Sequence, residues 1–264
     1  MIRADGTALR PLSPRSIVLS VLLGSHPPQM PVGRILEFTS LFDLTDGAVR
    51  TALSRMVANG DLVNDEGTYR LTDRLLARQA QQDAGRSSPP DAWDGTWWTL
   101  AVLADRRSMA ERRAFRAEVI GTRLGELRPD LWMRPANRPL RIDLPDVMIT
   151  RGPVVAGDEQ RLVAQLWDLT ALAAESQVHQ RALDVTARHL DDGDDRALAD
   201  AFVVLASAQR FLRVEPQLPV ELASDATGAA LRARYGEVVD RFQQRLAEFF
   251  GRRRRATSLS TTAR

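Results

Sequence analysis

The feature that most restricts the fold of this chain is a series of closely spaced helical patterns that ends in a tight hairpin. Ser13-Pro14 matches a helix N-cap followed by proline at the first helical position, and Gly24 ends this helix. A second apolar stripe runs from Val32 to Thr39, and about four residues separate its helix from a third one. A connection this short is typical of a helix-turn-helix.

The third helix is predicted to begin at Thr45, whose side chain can cap it, and to end at Asn59-Gly60. Two short strands are expected directly afterwards. They are joined by a turn that contains Gly67, since glycine adopts the positive φ that tight hairpins need. Three helices and a hairpin in this order predict a winged helix over residues 13–85. The residues of the third helix that are expected to face its core are Val49, Leu53, Met56 and Val57.

The opposite face of the third helix is polar, and we predict that it enters the major groove of DNA. Arginine can donate two hydrogen bonds to guanine, and serine or threonine can reach bases or phosphates. Backbone N–H groups at the helix N-terminus favour a phosphate there. A polar helix face is more often only a solvated surface. Here the hairpin that directly follows the third helix favours DNA binding over that alternative. The predicted DNA-binding residues are Thr45, Gly47, Arg50, Thr51, Ser54, Arg55 and, on the hairpin, Arg70.

A second segment follows a linker of serine and proline that ends at Pro90. It contains patterns for a buried strand, a helix rich in arginine and glutamate, and further strands. This order predicts an α+β domain of ferredoxin-like size over residues 91–155. The strands are expected at 93–103, 127–135 and 142–149, and the helix at 109–124.

The remainder of the chain is predicted to be helical. Residues 156–250 form a helical C-terminal domain that carries ten arginines against sixteen acidic residues. Residues 251–264 contain five arginines and no acidic residue, and a serine- and threonine-rich end follows the first four of these arginines. This composition predicts a disordered basic tail.

Several classes of site are excluded or disfavoured by composition. The chain has no cysteine, which rules out disulfides and thiolate chemistry and fits a cytoplasmic protein. Its three histidines lack metal-ligand spacing, and no phosphate loop or catalytic triad order is present. The apolar run at 17–23 is too short to span a bilayer. We therefore expect no cofactor, no metal, no membrane contact and no enzymatic activity.

Aromatic residues in the second segment are candidates for an effector pocket, although such residues more often fill a core or an interface. Arginines nearby can meet an anionic ligand, but their spacing from glutamates also fits a solvated helix face. The candidate effector-binding residues are Trp93, Trp97, Arg106, Trp132 and Arg134.

Two other functions stay open at this point. Asp105 follows the first strand of the second segment, where a carboxylate can bind Mg²⁺ for phosphodiester hydrolysis, particularly in a dimer. A lone acidic residue at a strand end is usually a turn or cap residue. The other alternative is an interaction protein whose helical segment binds a protein partner while the winged helix only packs.

Five stretches of the sequence form a recognisable series. They are Val-Arg-Thr-Ala-Leu-Ser-Arg-Met-Val-Ala-Asn-Gly at 49–60, Trp-Asp-Gly-Thr-Trp at 93–97, Leu131-Trp132 with Pro135, Trp167-Asp168-Leu169, and Leu-Pro-Val-Glu-Leu at 218–222. In this order they resemble the PaaX family of bacterial transcription regulators, which repress phenylacetic acid degradation. The similarity extends over roughly residues 13–245. At one place the pattern differs, since Arg123-Leu124-Gly125 stands where the family commonly has Gly-Phe-Gly.

The resemblance implies an N-terminal winged helix-turn-helix, a central Cas2-like ferredoxin-like domain and a helical C-terminal domain. It also implies a homodimer and release from DNA by phenylacetyl-CoA. We accordingly expect a ligand-responsive repressor of a catabolic operon for aromatic acids, with an acyl-CoA effector and a roughly palindromic double-stranded DNA operator. The alternative is a Cas2-like metal-dependent nuclease that carries a DNA-binding module.

Overall fold

The structure is a computed structural model that describes residues 13–86, 92–104, 107–223 and 228–262. These residues form nine helices and seven strands, and the strands make two antiparallel sheets. The prediction of a mixed α and β fold is therefore confirmed. The chain forms two compact units: the first contains residues up to 83 with 181–207 and 235 onward, and the second contains 84–180 and 208–234.

The N-terminal part of the chain alternates short helices with a small sheet. Its strands have the order β1-β3-β2, so that β3 is central. The elements are α1 (Pro14–Leu23), β1 (Gln29–Pro31), α2 (Val32–Ser40), α3 (Asp46–Ala58), β2 (Leu62–Asp65), β3 (Thr68–Leu71) and α4 (Asp73–Arg86).

The rest of the chain contains a four-stranded sheet and the longer helices. The strand order is β5-β6-β4-β7. The elements are β4 (Thr96–Val102), α5 (Met109–Ile120), β5 (Gly125–Arg128), β6 (Leu131–Pro135), β7 (Val147–Pro153), α6 (Glu159–Leu166), α7 (Leu169–Asp191), α8 (Arg196–Val214) and α9 (Ala229–Thr262).

Helix α3 is positioned by its buried stripe and by a cap at its N-terminus. Val49, Leu53 and Met56 are completely buried, as predicted. The side chain of Thr45 accepts a hydrogen bond from Ala48 N at 3.4 Å, which satisfies one free N–H of the first turn. The prediction for Val57 is wrong, since this side chain is 37% exposed. At 100° per residue it lies about 70° around the helix from the centre of the stripe.

The predicted hairpin is confirmed, and it has an additional neighbour. β2 and β3 pair from Leu62↔Leu71 to Asp65↔Thr68 across a two-residue turn. The turn residues Glu66 and Gly67 have φ of 46° and 84°, the positive values that two-residue hairpins favour. The proline-rich segment before α2 contributes β1, which pairs with β3. Its sequence predicted only a turn, because proline is tolerated in a sheet mainly at an edge.

Asp61 connects three helices of the first unit. Its carboxylate is 2% exposed, accepts a hydrogen bond from Arg15 Nη2 of α1 at 2.8 Å, and forms an ion pair with Arg74 of α4. The backbone N–H of Asp61 donates to Met56 O at 2.9 Å, near the end of α3. Asp61 thus links three helices, with its carboxylate on α1 and α4 and its backbone N–H on the end of α3.

The four-stranded sheet has a core on each face. On one face, Trp97 of β4 packs with Val163 and Leu166 of α6. On the other face, Leu100 of β4 and Trp132 of β6 pack with α5 and with Leu124. The two faces are distinct because side chains alternate along a strand.

The connection between β6 and β7 contains no helix and differs from the prediction. Apolar residues alternate there at positions 140, 142 and 144, and this pattern predicted a strand over 142–149. In the structure the last strand is β7, at 147–153, and the three alternating residues pack over the face that carries Leu100. An extended segment that lies across a sheet face shows the same alternation as a paired strand.

The predicted helical domain at 156–250 is divided between the two units, because α7, α8 and α9 each have residues in both. In the first unit an aromatic cluster links these helices to α2. The ring of Phe202 lies 5.1 Å from Phe38 and 5.4 Å from Phe42, and Phe242 lies 6.5 Å from Phe202. The N-terminal module therefore shares a core with the C-terminal helices.

In the structure α9 continues through Thr262, so that residues 251–262 of the predicted basic tail at 251–264 are helical. Gly251 does not end the helix, since one glycine in a helix interior lowers helix stability by only about 1 kcal/mol. Buried Phe249 and Phe250 precede it, and Arg252 forms an ion pair with Asp195. These contacts anchor both sides of the glycine.

We predict that Asp61→Asn lowers the free energy of unfolding by about 1–3 kcal/mol, because a buried acceptor of two charged hydrogen bonds loses its charge. Thermal unfolding followed by circular dichroism measures the midpoint. Asp65→Asn is the matched control, since Asp65 is exposed and has no ion pair among the described residues. Equal midpoints for the two variants would contradict the role of Asp61.

Candidate functional site

The polar face of α3 is formed as predicted. Five of the seven predicted DNA-binding residues lie on this helix, and all five are exposed. They occupy an arc of about 140° opposite the buried stripe, at 100° of rotation per residue. The five residues are Gly47, Arg50, Thr51, Ser54 and Arg55.

The two hydroxyl groups of this face are engaged by the helix itself. Thr51 Oγ1 donates to Gly47 O at 2.8 Å, and Ser54 Oγ donates to Arg50 O at 3.1 Å. Their oxygen atoms keep acceptor capacity, but donation to an external group requires rotation of the hydroxyl. The arginines therefore provide the free donors of the face.

Arg50, Arg55 and Arg70 are exposed positive charges without local neutralisation. None of their guanidinium groups forms an ion pair with a side chain in the part of the chain that the structure describes. By contrast, Arg15 and Arg74 share the carboxylate of Asp61. Arg70 lies on β3, the central strand of the three-stranded sheet, and thus on a different element from the α3 face.

The N-terminus of α3 is less suited to a phosphate than the sequence predicted. The side-chain oxygen of Thr45 already accepts the hydrogen bond from Ala48 N. Asp46 adds an exposed carboxylate in the first turn. That charge stabilises the helix dipole but opposes an incoming anion. Thr45 acts in the structure as the cap that starts α3.

The predicted effector-binding tryptophans do not line one cavity. Trp97 is 1% exposed, and its indole N–H donates to Glu159 Oε1 at 2.9 Å. Trp132 is buried on the opposite face of the sheet. Trp93 packs edge-on against Trp97, with 5.9 Å between ring centroids. Arg106 lies outside the described residues.

Arg134 is buried beside backbone carbonyls rather than exposed to a pocket. It is 4% exposed, and its Nη2 donates to Arg138 O at 3.1 Å and to Pro139 O at 2.9 Å. Burial lowers the pKa of Arg134 to about 10, and the positive charges of Arg123 and Arg138 act in the same direction. Of Arg123, Arg134 and Arg138, the sequence analysis named only Arg134 as a candidate. No local pattern indicates Arg123 as its neighbour, because only the fold brings the two together.

The described residues contain no metal site that would support the nuclease hypothesis. Asp105 lies outside the described residues. Within the described ranges, no group of three or more His, Asp or Glu side chains is arranged to hold a metal ion. Over those same ranges, no helix has the length and apolar character needed to cross a bilayer.

Comparison with known proteins connects this geometry to a family. A family model described as PaaX-like protein matches residues 13–75, which include the α3 face and the β2–β3 hairpin. None of the curated proteins matches the chain. One solved structure, of an uncharacterized protein Rv0674 from Mycobacterium tuberculosis, is 36% identical with a TM-score of 0.67. The similarity covers 90% of this chain and 99% of that one. By these matches the chain belongs to the PaaX-like family.

Proposed function

We propose that the protein is a DNA-binding transcriptional regulator in which α1–α3 and the β2–β3 hairpin form a winged helix, with α3 as its recognition helix. The observation that carries the proposal is the exposed face of α3, where Arg50 and Arg55 lack ion-pair partners among the described residues. The order of helices and strands, and a three-stranded sheet that ends in a hairpin, support the same assignment.

Recognition of DNA by this module depends mainly on α3. Its arginines can each donate two hydrogen bonds to guanine in the major groove, where a helix fits. The tip of the hairpin contributes little, because Asp65 and Glu66 are exposed acids that repel phosphates. Arg70, further along β3, is the hairpin residue suited to a phosphate or minor-groove contact.

The proposed assembly is a homodimer on a roughly palindromic operator. Two recognition helices related by a two-fold axis read half-sites about one helical turn apart. We assign the central domain to the ferredoxin-like class that includes Cas2. In support, its four strands are all antiparallel in the order β5-β6-β4-β7, and α5 connects β4 to β5. The segment at 140–144 takes the place of the second helix of that fold.

The proposed role is repression of an operon for aromatic acid catabolism, relieved by an acyl-CoA such as phenylacetyl-CoA. An effector that binds better to one arrangement of the dimer shifts the population away from the spacing that the operator needs. In this proposal the protein acts in the cytoplasm and carries out no catalytic step.

An electrophoretic mobility shift on the promoter region upstream of the protein's own gene tests the proposal at fixed salt, with and without phenylacetyl-CoA. A specific shift abolished by the thioester supports both the regulator and its effector. A specific shift that persists in the presence of the thioester supports the DNA-binding regulator and contradicts phenylacetyl-CoA as its effector. Labelled DNA that is cleaved in the presence of Mg²⁺, but not by Asp105→Ala, contradicts the absence of catalysis.

We predict that Arg50→Ala and Arg55→Ala each weaken operator binding by about 1–3 kcal/mol, roughly 5- to 150-fold, if each reads a base. Fluorescence anisotropy at constant salt measures the affinity for the operator and for a scrambled duplex. Neither variant should change the thermal midpoint, because neither side chain has an ion pair in the described structure.

The matched control for these variants is Arg188→Ala, an exposed arginine on α7 in the same compact unit. It should bind the operator as the wild type does. If Arg50 and Arg55 contact bases, each substitution lowers the affinity for the scrambled duplex less than the affinity for the operator. Unchanged operator affinity in both α3 variants contradicts the proposed recognition face.

We predict that Gly47→Ala changes stability and DNA affinity in opposite directions. A Cβ at Gly47 meets no atom within 4 Å, so alanine stabilises α3 by up to about 1 kcal/mol and raises the thermal midpoint. The added methyl group lies on the face that approaches DNA and should weaken operator binding several-fold. Gly236→Ala on α9, which also meets nothing within 4 Å, should raise the midpoint without affecting DNA. Equal operator affinity in Gly47→Ala and Gly236→Ala contradicts a close approach of α3 to DNA.

A further inference from the structure

In the first unit, α9 carries two neighbouring phenylalanine rings, and an arginine lies over each of them. Phe249 and Phe250 are both buried. The Cζ atom of Arg34 lies 5.3 Å from the centroid of the Phe250 ring, and that of Arg253 lies 5.3 Å from the centroid of the Phe249 ring. A cation this close to the face of a ring is attracted by its electrons. We call these two contacts the stacked arginine pair.

Arg34 keeps its positive charge available on the surface. It is exposed and forms no ion pair in the part of the chain that the structure describes, although Glu37 follows one turn later on α2. By contrast, Arg252 is paired with Asp195. A ring under one face of a guanidinium group restricts its motion and leaves the N–H groups at its edge able to donate. Arg34 is therefore held in place for an anionic acceptor.

The start of α2, where Arg34 lies, is beside the turn of the β2–β3 hairpin. The backbone N–H of Val32, the first residue of α2, donates to Gly67 O at 2.8 Å. The hairpin turn itself is acidic, since Asp65 and Glu66 are exposed. Arg34 is therefore a positive charge within one helical turn of the hairpin contact, in the same module as the α3 face.

The direction of α9 along α2 brings its end to this side of the module. Phe242 of α9 packs near Phe202, which contacts Phe42 just after the end of α2. Further along α9, Phe250 lies under Arg34 in the first turn of α2. The two helices therefore run antiparallel to each other here, and the residues after Phe250 continue past the start of α2.

We propose that the stacked arginine pair binds the phosphate backbone of duplex DNA beside the bases that α3 contacts. The proposal rests on the proposed function and adds the C-terminal helix α9 to the DNA interface. A guanidinium group can donate two parallel hydrogen bonds to one phosphate. The acidic hairpin turn repels phosphates, and the pair supplies positive charge next to it. Because a phosphate contact carries no base information, its contribution is the same for any DNA sequence.

The test is fluorescence anisotropy of the full-length protein with the operator and with a scrambled duplex, over a series of sodium chloride concentrations. Arg34→Ala and Arg253→Ala should each weaken binding to both duplexes by about three- to tenfold, because one charge-assisted phosphate contact is lost. The slope of log affinity against log salt should become smaller by about 1 in each variant. Arg188→Ala, at an exposed arginine of α7 in the same unit, should leave both affinities and the slope unchanged.

A double-mutant cycle tests the contribution of α9 through the ring of Phe250. Phe250→Leu keeps an apolar side chain and removes the ring beneath Arg34, so it should weaken binding to both duplexes by a smaller factor than Arg34→Ala does. Because the ring acts through Arg34, adding Phe250→Leu to Arg34→Ala should weaken binding no further. Additive losses in affinity overturn the positioning role of Phe250.

A second substitution at the surface keeps the proposal falsifiable if Phe250→Leu folds poorly. Arg34→Lys retains the charge without the planar group, so it should keep the salt slope of the wild type and bind with an affinity between those of the wild type and Arg34→Ala. Unchanged affinity of Arg34→Ala for both duplexes overturns the proposal. A loss confined to the operator also overturns it, because that result indicates a contact to a base instead of a phosphate.

Failure of this contact can be distinguished from failure of the proposed function. Operator binding that is weakened by Arg50→Ala but not by Arg34→Ala supports the DNA-binding regulator and overturns the stacked arginine pair. Equal affinity of the wild type for the operator and the scrambled duplex, reduced in Arg34→Ala together with the salt slope, supports the phosphate contact and contradicts operator recognition. The absence of binding to either duplex overturns both.

Discussion

The packing of Val49, Leu53 and Met56 into the core of the N-terminal module is the contact on which the candidate interface depends. Because a helix rotates by 100° per residue, burying this stripe leaves Arg50 and Arg55 on the outer side of α3. The same core fixes the end of α3, where the buried carboxylate of Asp61 joins it to α1 and α4. The same packing arrangement therefore both fixes the buried side of α3 and exposes its cationic face.

The C-terminal helices belong to both compact units, since α7, α8 and α9 each have residues in both. In the first unit, α8 contributes Phe202 to the aromatic cluster beside α2. In the second unit, Arg123 Nη2 donates to Leu212 O near the end of α8. The helical part of the chain therefore supplies residues to two cores instead of forming one of its own.

The local features of the fold could be predicted from sequence, whereas those that depend on distant partners could not. Capping by Ser13 and Thr45, the stripe of α3 and the turn at Gly67 follow from short-range rules, and the structure agrees with them except at Val57. The seven candidate DNA-binding residues were chosen by the same rules, and five of them form the exposed polar face of α3. Strand β1 was missed because its partner lies about 40 residues away and prolines flank it. The sequence did not indicate Arg123 as a neighbour of Arg134 either, since the charge around an arginine depends on residues that folding brings near it.

The small sheet of the N-terminal module has edges that are poor templates for another strand. On one side, β1 has only three residues and ends in Pro31, which offers no N–H to an incoming chain. On the other side, β2 ends in the exposed polar pair Asn64 and Asp65. An edge strand with free N–H and C=O groups can pair with a strand of another molecule. These two edges therefore limit strand pairing between copies of the chain, while the polar face of α3 stays exposed.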